Sequence, residues 1–139
     1  MLTLFIADDS PHVRAGLTSL LGETAGIRIV GEAADVPGAI HGIRELRPDV
    51  VVLDFSMPSG NGLEVLAAVK QSVPPPVVIM LTIFSYTSLR ERCRQAGADY
   101  FFDKFTELEA LLRLMRELAV GEPAHAPGAG GSQTGGPAS

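Results

Sequence analysis

Polar residues that suit charge-driven chemistry recur at the ends of short apolar runs. They are Asp8 and Asp9, Asp54, Thr82 and Lys104. Three carboxylates gathered in one pocket repel each other, by about 4 kcal/mol for a pair about 4 Å apart at an effective dielectric constant of about 20. Such a cluster favours a bound cation. An all-oxygen set of ligands is typical of a hard ion such as Mg²⁺, and no Cys or His stands near these acids to suggest zinc.

The two remaining polar groups fit an anionic substrate. Lys104 supplies a compact positive charge, and Thr82 supplies a hydroxyl that can donate to an oxygen. A carboxylate, a divalent metal, an ammonium group and a hydroxyl together are what phosphoryl transfer to a carboxylate requires. Each residue taken alone also has an ordinary reading: Asp8-Asp9 as a helix-start cap, Thr82 as a strand end, Lys104 as a surface lysine.

These residues meet only if the chain brings the apolar runs side by side, and its pattern predicts that. Strands are predicted over 4–7, 27–32, 50–53, 77–82 and 100–102, and a segment with helical spacing of apolar residues follows each strand. Five such cycles predict an α/β fold, a doubly wound parallel sheet of five strands flanked by five helices. Ligands of such sheets bind at the carboxyl ends of the strands, which is where all of these polar residues stand.

Residues that typically start, cap or end helices set the predicted helix limits. Pro11 suits the first turn of the first helix, Asp35 can cap the second, and Gly97 is a stop for the fourth. Thr106 and Glu109 predict a capping box at the start of the last helix. That helix is expected to bury an apolar set, namely Leu108, Leu111, Leu112, Met115 and Leu118.

Composition divides the chain of 139 residues in two. Residues 1–120 are predicted to be the folded domain, and residues 121–139, rich in Gly, Pro and Ala, a disordered tail or a linker to another domain. The net charge of −5 does not suggest that the chain as a whole binds nucleic acid. A single cysteine, Cys93, and the lack of a signal peptide or membrane span predict a cytoplasmic protein.

The ordered set of motifs resembles the receiver domain of two-component response regulators, as single-domain CheY-like proteins have it. The motifs that carry the resemblance are Asp8-Asp9, Leu53-Asp54-Phe55-Ser56-Met57-Pro58, Gly62, Leu81-Thr82 and the run from Gly97 to Lys104. They cover the chain to about residue 120. The resemblance implies a flavodoxin-like sheet with the strand order 2-1-3-4-5.

The resemblance also implies roles for the site residues. Asp54 would be the phosphoacceptor, which receives a phosphoryl group from a histidine kinase or a phosphotransfer protein. The metal ligands of Mg²⁺ would be Asp8, Asp9 (the more direct of the acidic pair), Asp54 and the backbone carbonyl of Ser56.

Further implied roles concern the phosphoryl group and the switch. Thr82 and Lys104 would hold the phosphoryl group, and Thr82 and Phe101 would form the switch pair. In the family, the threonine then moves toward the phosphate and the aromatic ring turns inward. The face made by the fourth helix, the fifth strand and the fifth helix thereby changes its preference for partners.

The chain departs from the family pattern at three positions. Ile83 follows Thr82 where a small residue is usual, and Phe84 is also larger than expected, so we expect both to restrict access to the pocket and to shield a phosphorylated Asp54 from water. Phe105 stands where many members have a proline, which affects the geometry of the loop.

We therefore expect a switch that acts by docking to an unknown downstream protein, as a monomer or weak dimer, without membrane contact. It would not be an enzyme beyond catalysing its own phosphorylation and dephosphorylation. No helix-turn-helix pattern follows residue 120, so direct DNA binding is not expected. One alternative is a pseudo-receiver, an interaction module without phosphorylation. The other is a phosphatase with an aspartate nucleophile, but Ser56 stands where its second acid would be.

Overall fold

The structure is a computed structural model, and it describes residues 1–84 and 86–121. The strands are β1 (Leu2–Ala7), β2 (Ile27–Ala33), β3 (Val50–Leu53), β4 (Ser56–Met57), β5 (Gly60–Asn61), β6 (Val77–Thr82) and β7 (Tyr100–Asp103). The helices are α1 (Pro11–Gly22), α2 (Val36–Leu46), α3 (Gly62–Val69), α4 (Thr87–Gln95) and α5 (Leu108–Ala119). Within this part of the chain, no helix is long and apolar enough to cross a membrane.

Five of the strands form one parallel sheet, in the order β2-β1-β3-β6-β7. With the two-residue strands β4 and β5 left out of the count, this is the predicted order 2-1-3-4-5, so the predicted fold is confirmed. All four residues of β3 are buried, as expected for a central strand covered by helices on both faces. The small antiparallel β4–β5 pair was not predicted from the sequence.

The apolar residues separate into two core layers, one on each face of the sheet. Along β1, Leu4 and Ile6 face one layer and Phe5 and Ala7 face the other, since successive side chains of a strand point to opposite sides. Helices α1 and α5 cover the first layer, and helices α2, α3 and α4 cover the second. The sheet is therefore held rigidly from both sides.

The predicted helix signals are confirmed at three helices. Pro11 opens α1, and the Asp35 carboxylate accepts a hydrogen bond of 2.7 Å from the Gly38 N–H at the start of α2. Gly97, just after α4, has a φ of +110°, a conformation that suits glycine. The predicted tail at 121–139 lies outside the described residues, apart from Gly121.

The predicted capping box of α5 is wrong. The helix begins at Leu108, later than Thr106 and Glu109 predicted, and the preceding N-cap residue Glu107 makes no side-chain hydrogen bond to the helix. The Thr106 N–H instead donates to the Asp103 carboxylate at 2.9 Å. A tight turn therefore competes successfully with the helix for these residues.

The buried face of α5 also differs in part from the prediction. Leu111 and Met115 are buried as expected, and Leu114, which was not predicted, is buried with them. Three other predicted positions are only partly buried, and they are Leu108, Leu112 and Leu118.

Gly62 marks a close approach of backbones below the pocket. A Cβ atom at this position would lie 2.7 Å from the carbonyl oxygen of Asp54 and 3.0 Å from the Cα atom of Phe55. Because both neighbours are backbone, Gly62→Ala is expected to destabilise the protein by about 2 kcal/mol. Urea unfolding measures this. Gly16→Ala is the matched control, since a Cβ there meets nothing within 4 Å, and it is expected to stabilise α1 by up to about 1 kcal/mol. Equal stabilities of the two variants would contradict the packing argument.

Candidate functional site

Adjacent parallel strands bring two carboxylates to the same edge of the sheet. Ala7 at the end of β1 pairs in register with Leu53 at the end of β3. The Asp54 N–H continues this pairing and donates to the Ala7 carbonyl at 2.9 Å. Asp8 and Asp54, the next residues of the two strands, therefore leave the sheet side by side.

The three predicted acids form one cluster. A carboxylate oxygen from each of Asp8, Asp9 and Asp54 lies within 4.8 Å of the others. Asp8 is 2% exposed and Asp54 is 5% exposed, whereas Asp9 is exposed at the rim. The cluster thus has two buried carboxylates at its base and one that reaches solvent.

Lys104 lies between the two buried carboxylates. Its Nζ atom is 2.7 Å from Asp8 Oδ2 and 3.0 Å from Asp54 Oδ2. Its backbone N–H donates to the Thr82 carbonyl at 2.9 Å, which extends the pairing of β6 with β7 and fixes where the lysine starts. A single ammonium group is therefore shared by two acids from two different strands.

The other oxygens of these acids are held by backbone N–H groups. Asp8 Oδ1 accepts from the Ser10 N–H at 3.0 Å, and Asp54 Oδ1 accepts from the Ser56 N–H at 3.4 Å. The Ser10 side chain also caps α1 by accepting from Val13. Both carboxylates are thus oriented from both ends, with one oxygen toward the loop and one toward the lysine.

Burial sets the protonation behaviour of the pocket. Burial raises the pKa of the Asp54 carboxyl, and the negative charge of Asp8 raises it further, while Lys104 opposes both without cancelling them. Burial alone would lower the pKa of Lys104, but its hydrogen bonds and charge interactions with Asp8 and Asp54 outweigh this and raise it. Lys104 therefore remains an ammonium group at neutral pH.

The donor set fits a hard divalent cation. Three carboxylates and one ammonium group leave these four side chains with two formal negative charges. Carboxylate oxygens that lie this close together, with one of them open to solvent, suit an ion that retains water molecules. The described residues of the cluster therefore match Mg²⁺ in charge and in ligand type.

Thr82 and Ser56 lie at neighbouring positions of the same edge. Thr82 ends β6 and is completely buried, and its Oγ1 atom accepts a hydrogen bond of 3.2 Å from the Phe84 N–H. A hydroxyl that accepts one bond can still donate one. Ser56 follows Asp54 by two residues and is exposed, and the ligand role of its carbonyl stays a prediction.

The bulky apolar residues near the pocket occupy two different environments. Phe101 on β7 is partly buried against the core layer under α2, α3 and α4, and Phe84 packs against the same layer. Phe105 is 79% exposed, and Ile83 is 46% exposed. The predicted restriction of access by Ile83 and Phe84 stays a prediction.

Two arginines hold the site and were not singled out from the sequence. Arg14 on α1 donates to the Asp8 carbonyl at 2.7 Å and pairs with Glu32 at 3.3 Å. Arg90 on α4 covers the ring of Phe101, with its Cζ atom 4.5 Å from the centre of the ring. Arg14 lies six residues from Asp8, and Arg90 lies eleven residues from Phe101, and no spacing pattern predicts either contact.

Comparison with known proteins decides the family. Residues 4–116 match the family model of the response regulator receiver domain. The chain belongs to the response regulator receiver family. It is thus a receiver domain of the kind found in two-component response regulators, which are signalling switches.

Individual relatives agree with this. This receiver is 32% identical to the response regulator GacA of Pseudomonas aeruginosa over 122 residues, which are 88% of this chain and 57% of GacA. The signal receiver domain of NarL from Mycobacterium tuberculosis has a TM-score of 0.78 at 28% identity, covering 87% of this chain and 98% of that chain. A CheX–CheY–BeF3–Mg complex from Borrelia burgdorferi has a TM-score of 0.75 at 27% identity, covering 84% and 89%.

The receiver spans a little over half of the length of the curated relatives that it matches, 57% for GacA and 56% for UvrY of Escherichia coli. The receiver domain model therefore matches most of this chain, while the rest of those relatives lies outside the aligned region.

The raised pKa of Asp54 has a consequence for stability without metal. An acid whose pKa is higher in the folded state than in the unfolded state stabilises the fold most at low pH. That stability is lost as the pH rises from the unfolded value, 3.8, through the folded one. Asp54→Asn is therefore expected to be more stable than the wild type at pH 7, where the wild-type carboxylate is ionised and buried.

Urea unfolding in EDTA at pH 7 and at acidic pH measures this difference. The advantage of Asp54→Asn is expected to shrink at low pH, where the wild-type carboxyl is protonated. Glu109→Gln is the control, because it neutralises an exposed acid in the first turn of α5 and is expected to give no gain. A lower stability of Asp54→Asn at pH 7 would show that the pair with Lys104 outweighs the cost of burial.

Proposed function

We propose that this receiver is a phosphorylation switch that accepts a phosphoryl group on Asp54, in a Mg²⁺-dependent reaction, from a histidine kinase or a phosphotransfer protein. The observation that carries the proposal is the Lys104 ammonium group, which lies 2.7 Å and 3.0 Å from two buried carboxylates beside an exposed third. A structural ion pair does not need three acids for one cation, whereas a site that binds a divalent cation and also offers a carboxylate acceptor does.

Asp54 is the acceptor because of its position in the cluster. It follows the central strand β3 and is anchored on one side by Ala7 and on the other by Ser56. One of its oxygens attacks the phosphorus, the bond from phosphorus to the donor breaks, and the leaving group keeps the electron pair. The rigid anchoring aligns the carboxylate before the donor arrives.

The remaining groups stabilise the charge of the transferred group. Asp8, Asp9, Asp54 and the Ser56 carbonyl would hold Mg²⁺, which supplies neutralisation of the phosphoryl oxygens when bound. Lys104 pairs with one phosphoryl oxygen, and the Thr82 hydroxyl donates to another. The CheY of Borrelia burgdorferi, whose complex contains BeF3 and Mg, supports this arrangement by similarity.

Output would follow from a change at Thr82 and Phe101 that reaches the face formed by α4, β7 and α5. That face would then dock to a downstream protein. We keep as predictions that the receiver acts without direct DNA binding, that it has no other enzymatic activity, that it is a cytoplasmic monomer or weak dimer, and that residues 1–120 form the domain and 121–139 a tail.

Phosphorylation of Asp54 is tested by mass. Incubation of the full chain with Mg²⁺ and acetyl phosphate is expected to add one phosphoryl group, and Asp54→Asn is expected to add none, because the attacking oxygen is lost. Intact-mass spectrometry measures both, with Glu109→Gln as a control that reacts like the wild type. An unmodified wild type, alongside a reference receiver that reacts, would favour the pseudo-receiver; steady turnover of a small phosphoester would favour the phosphatase.

Metal binding has a readout independent of phosphorylation. Mg²⁺ is expected to raise the stability of the wild type, by about 2.7 kcal/mol when its concentration is about 100 times Kd. Asp9→Asn is expected to lose most of this gain, because it removes an exposed ligand carboxylate. The substitution leaves the buried acids and their pairing with Lys104 intact. Thermal unfolding with Mg²⁺ or EDTA measures the gain, and an equal gain for both proteins would remove Asp9 from the ligand set.

A further inference from the structure

The loop that carries Lys104 is closed by a network that no part of the proposed reaction uses. The Glu107 N–H donates to the Asp103 carbonyl at 3.0 Å, and the Asp103 N–H donates to Glu107 Oε1 at 2.7 Å. The Asp103 carboxylate also accepts from the N–H groups of Phe105 and Thr106, at 2.8 Å and 2.9 Å. Lys104 therefore sits inside a turn whose two ends, Asp103 and Glu107, are joined reciprocally.

Arg90 anchors this turn from outside. Its Nη2 atom is 3.3 Å from Glu107 Oε1, the same oxygen that accepts from Asp103. Its Nη1 atom donates to the carbonyl of Phe101 at 3.0 Å, and its Cζ atom lies 4.5 Å from the centre of the Phe101 ring. One guanidinium group thus joins α4 to the end of β7 and to the residue before α5.

We infer that Arg90 is a positioning residue for Lys104, and that it couples the pocket to the surface formed by α4, β7 and α5. This rests on the proposed function. Arg90 touches none of the reacting groups and acts through Glu107 and the Asp103–Glu107 turn. A planar guanidinium with several donors can contact a carbonyl, a carboxylate and a ring at once, which a lysine cannot.

The coupling works in both directions. A phosphoryl group that pulls on the Lys104 ammonium group moves the turn, and the turn ends on the carboxylate that Arg90 holds. By linkage, a partner that binds at Arg90 or Phe101 changes the affinity of the pocket for the phosphoryl group. The factor is the same as that by which the phosphoryl group changes the affinity for the partner. The network thereby supplies a physical connection between the acceptor and a surface on the side of the domain.

The chain offers a matched control on the same helix. Among the described residues, Arg94 forms its ion pair with Glu91 of the same helix, and its side chain is 68% exposed, against 42% for Arg90. Arg90→Ala and Arg94→Ala thus each remove one arginine and one ion pair from α4. Only the first of them removes contacts with β7 and the Lys104 turn.

The first test uses the unphosphorylated full chain and is independent of the proposed function. Backbone amide NMR spectra are expected to show shifts of Phe101 to Glu107, including Lys104, in Arg90→Ala. In Arg94→Ala the shifts are expected to stay within α4. If the signal of Lys104 is the same in both variants, Arg90 does not position the turn and the inference is overturned.

The second test measures the rate of phosphorylation by acetyl phosphate with Mg²⁺. Arg90→Ala is expected to react roughly threefold to tenfold more slowly than Arg94→Ala at equal folded fraction. Glu107→Gln is expected to be slow as well, and Arg90→Ala combined with Glu107→Gln no slower than Arg90→Ala alone, since both act through one turn. Arg90→Lys, which keeps the charge, is expected to recover part of the rate.

The outcomes separate the inference from the function. Equal rates for Arg90→Ala and Arg94→Ala, in a wild type that is phosphorylated, overturn the inference while the acceptor role of Asp54 stands. A wild type that takes up no phosphoryl group sinks the proposed function, and the amide shifts at Lys104 then decide the positioning role alone. If Arg90→Ala does not fold, Arg90→Lys and Glu107→Gln carry both comparisons.

Discussion

Two carboxylates buried side by side, with one ammonium group between them, are the constraint that organises this receiver. Asp8 and Asp54 follow adjacent parallel strands, so the backbone itself forces their charges together. Burial raises the pKa of Asp54 above its ordinary value and the charge of Asp8 adds to this, while Lys104 opposes both without cancelling them. A domain that needed only stability would be better served by apolar residues here, and the retained cost is what makes the pocket receptive to a cation and an anionic group.

The rest of the fold keeps these groups in place. The central strand β3 is buried on both faces, and two separate core layers press on the sheet from opposite sides. The site residues stand just beyond the strand ends, in loops that are short and hydrogen-bonded to the sheet. Because the strands pair in register up to the pocket, an error of one residue would move a carboxylate to the wrong side. The pairing of the strands therefore fixes where each site residue starts.

The pocket is connected to the side of the domain through Lys104 and its turn. The turn between β7 and α5 is built from hydrogen bonds of Asp103 and Glu107, and α4 reaches it through Arg90. In the proposed switch, a charge added at the end of β3 thus has a short route to the surface of α4, β7 and α5. The matched region makes up 57% of GacA and 56% of UvrY, so these relatives are longer than this receiver.

The sequence by itself determined the strand and helix order and the acids at the strand ends, because apolar periodicity and proline or glycine positions are local signals. It also placed Asp8, Asp54 and Lys104 at one edge, since the ends of parallel strands meet there. Only the tertiary structure decided that Lys104 bridges both acids and that α5 starts at Leu108. The position of Arg90 over the Phe101 ring could not be predicted from the sequence either. Such a contact depends on the packing of side chains from different elements, which no spacing pattern encodes.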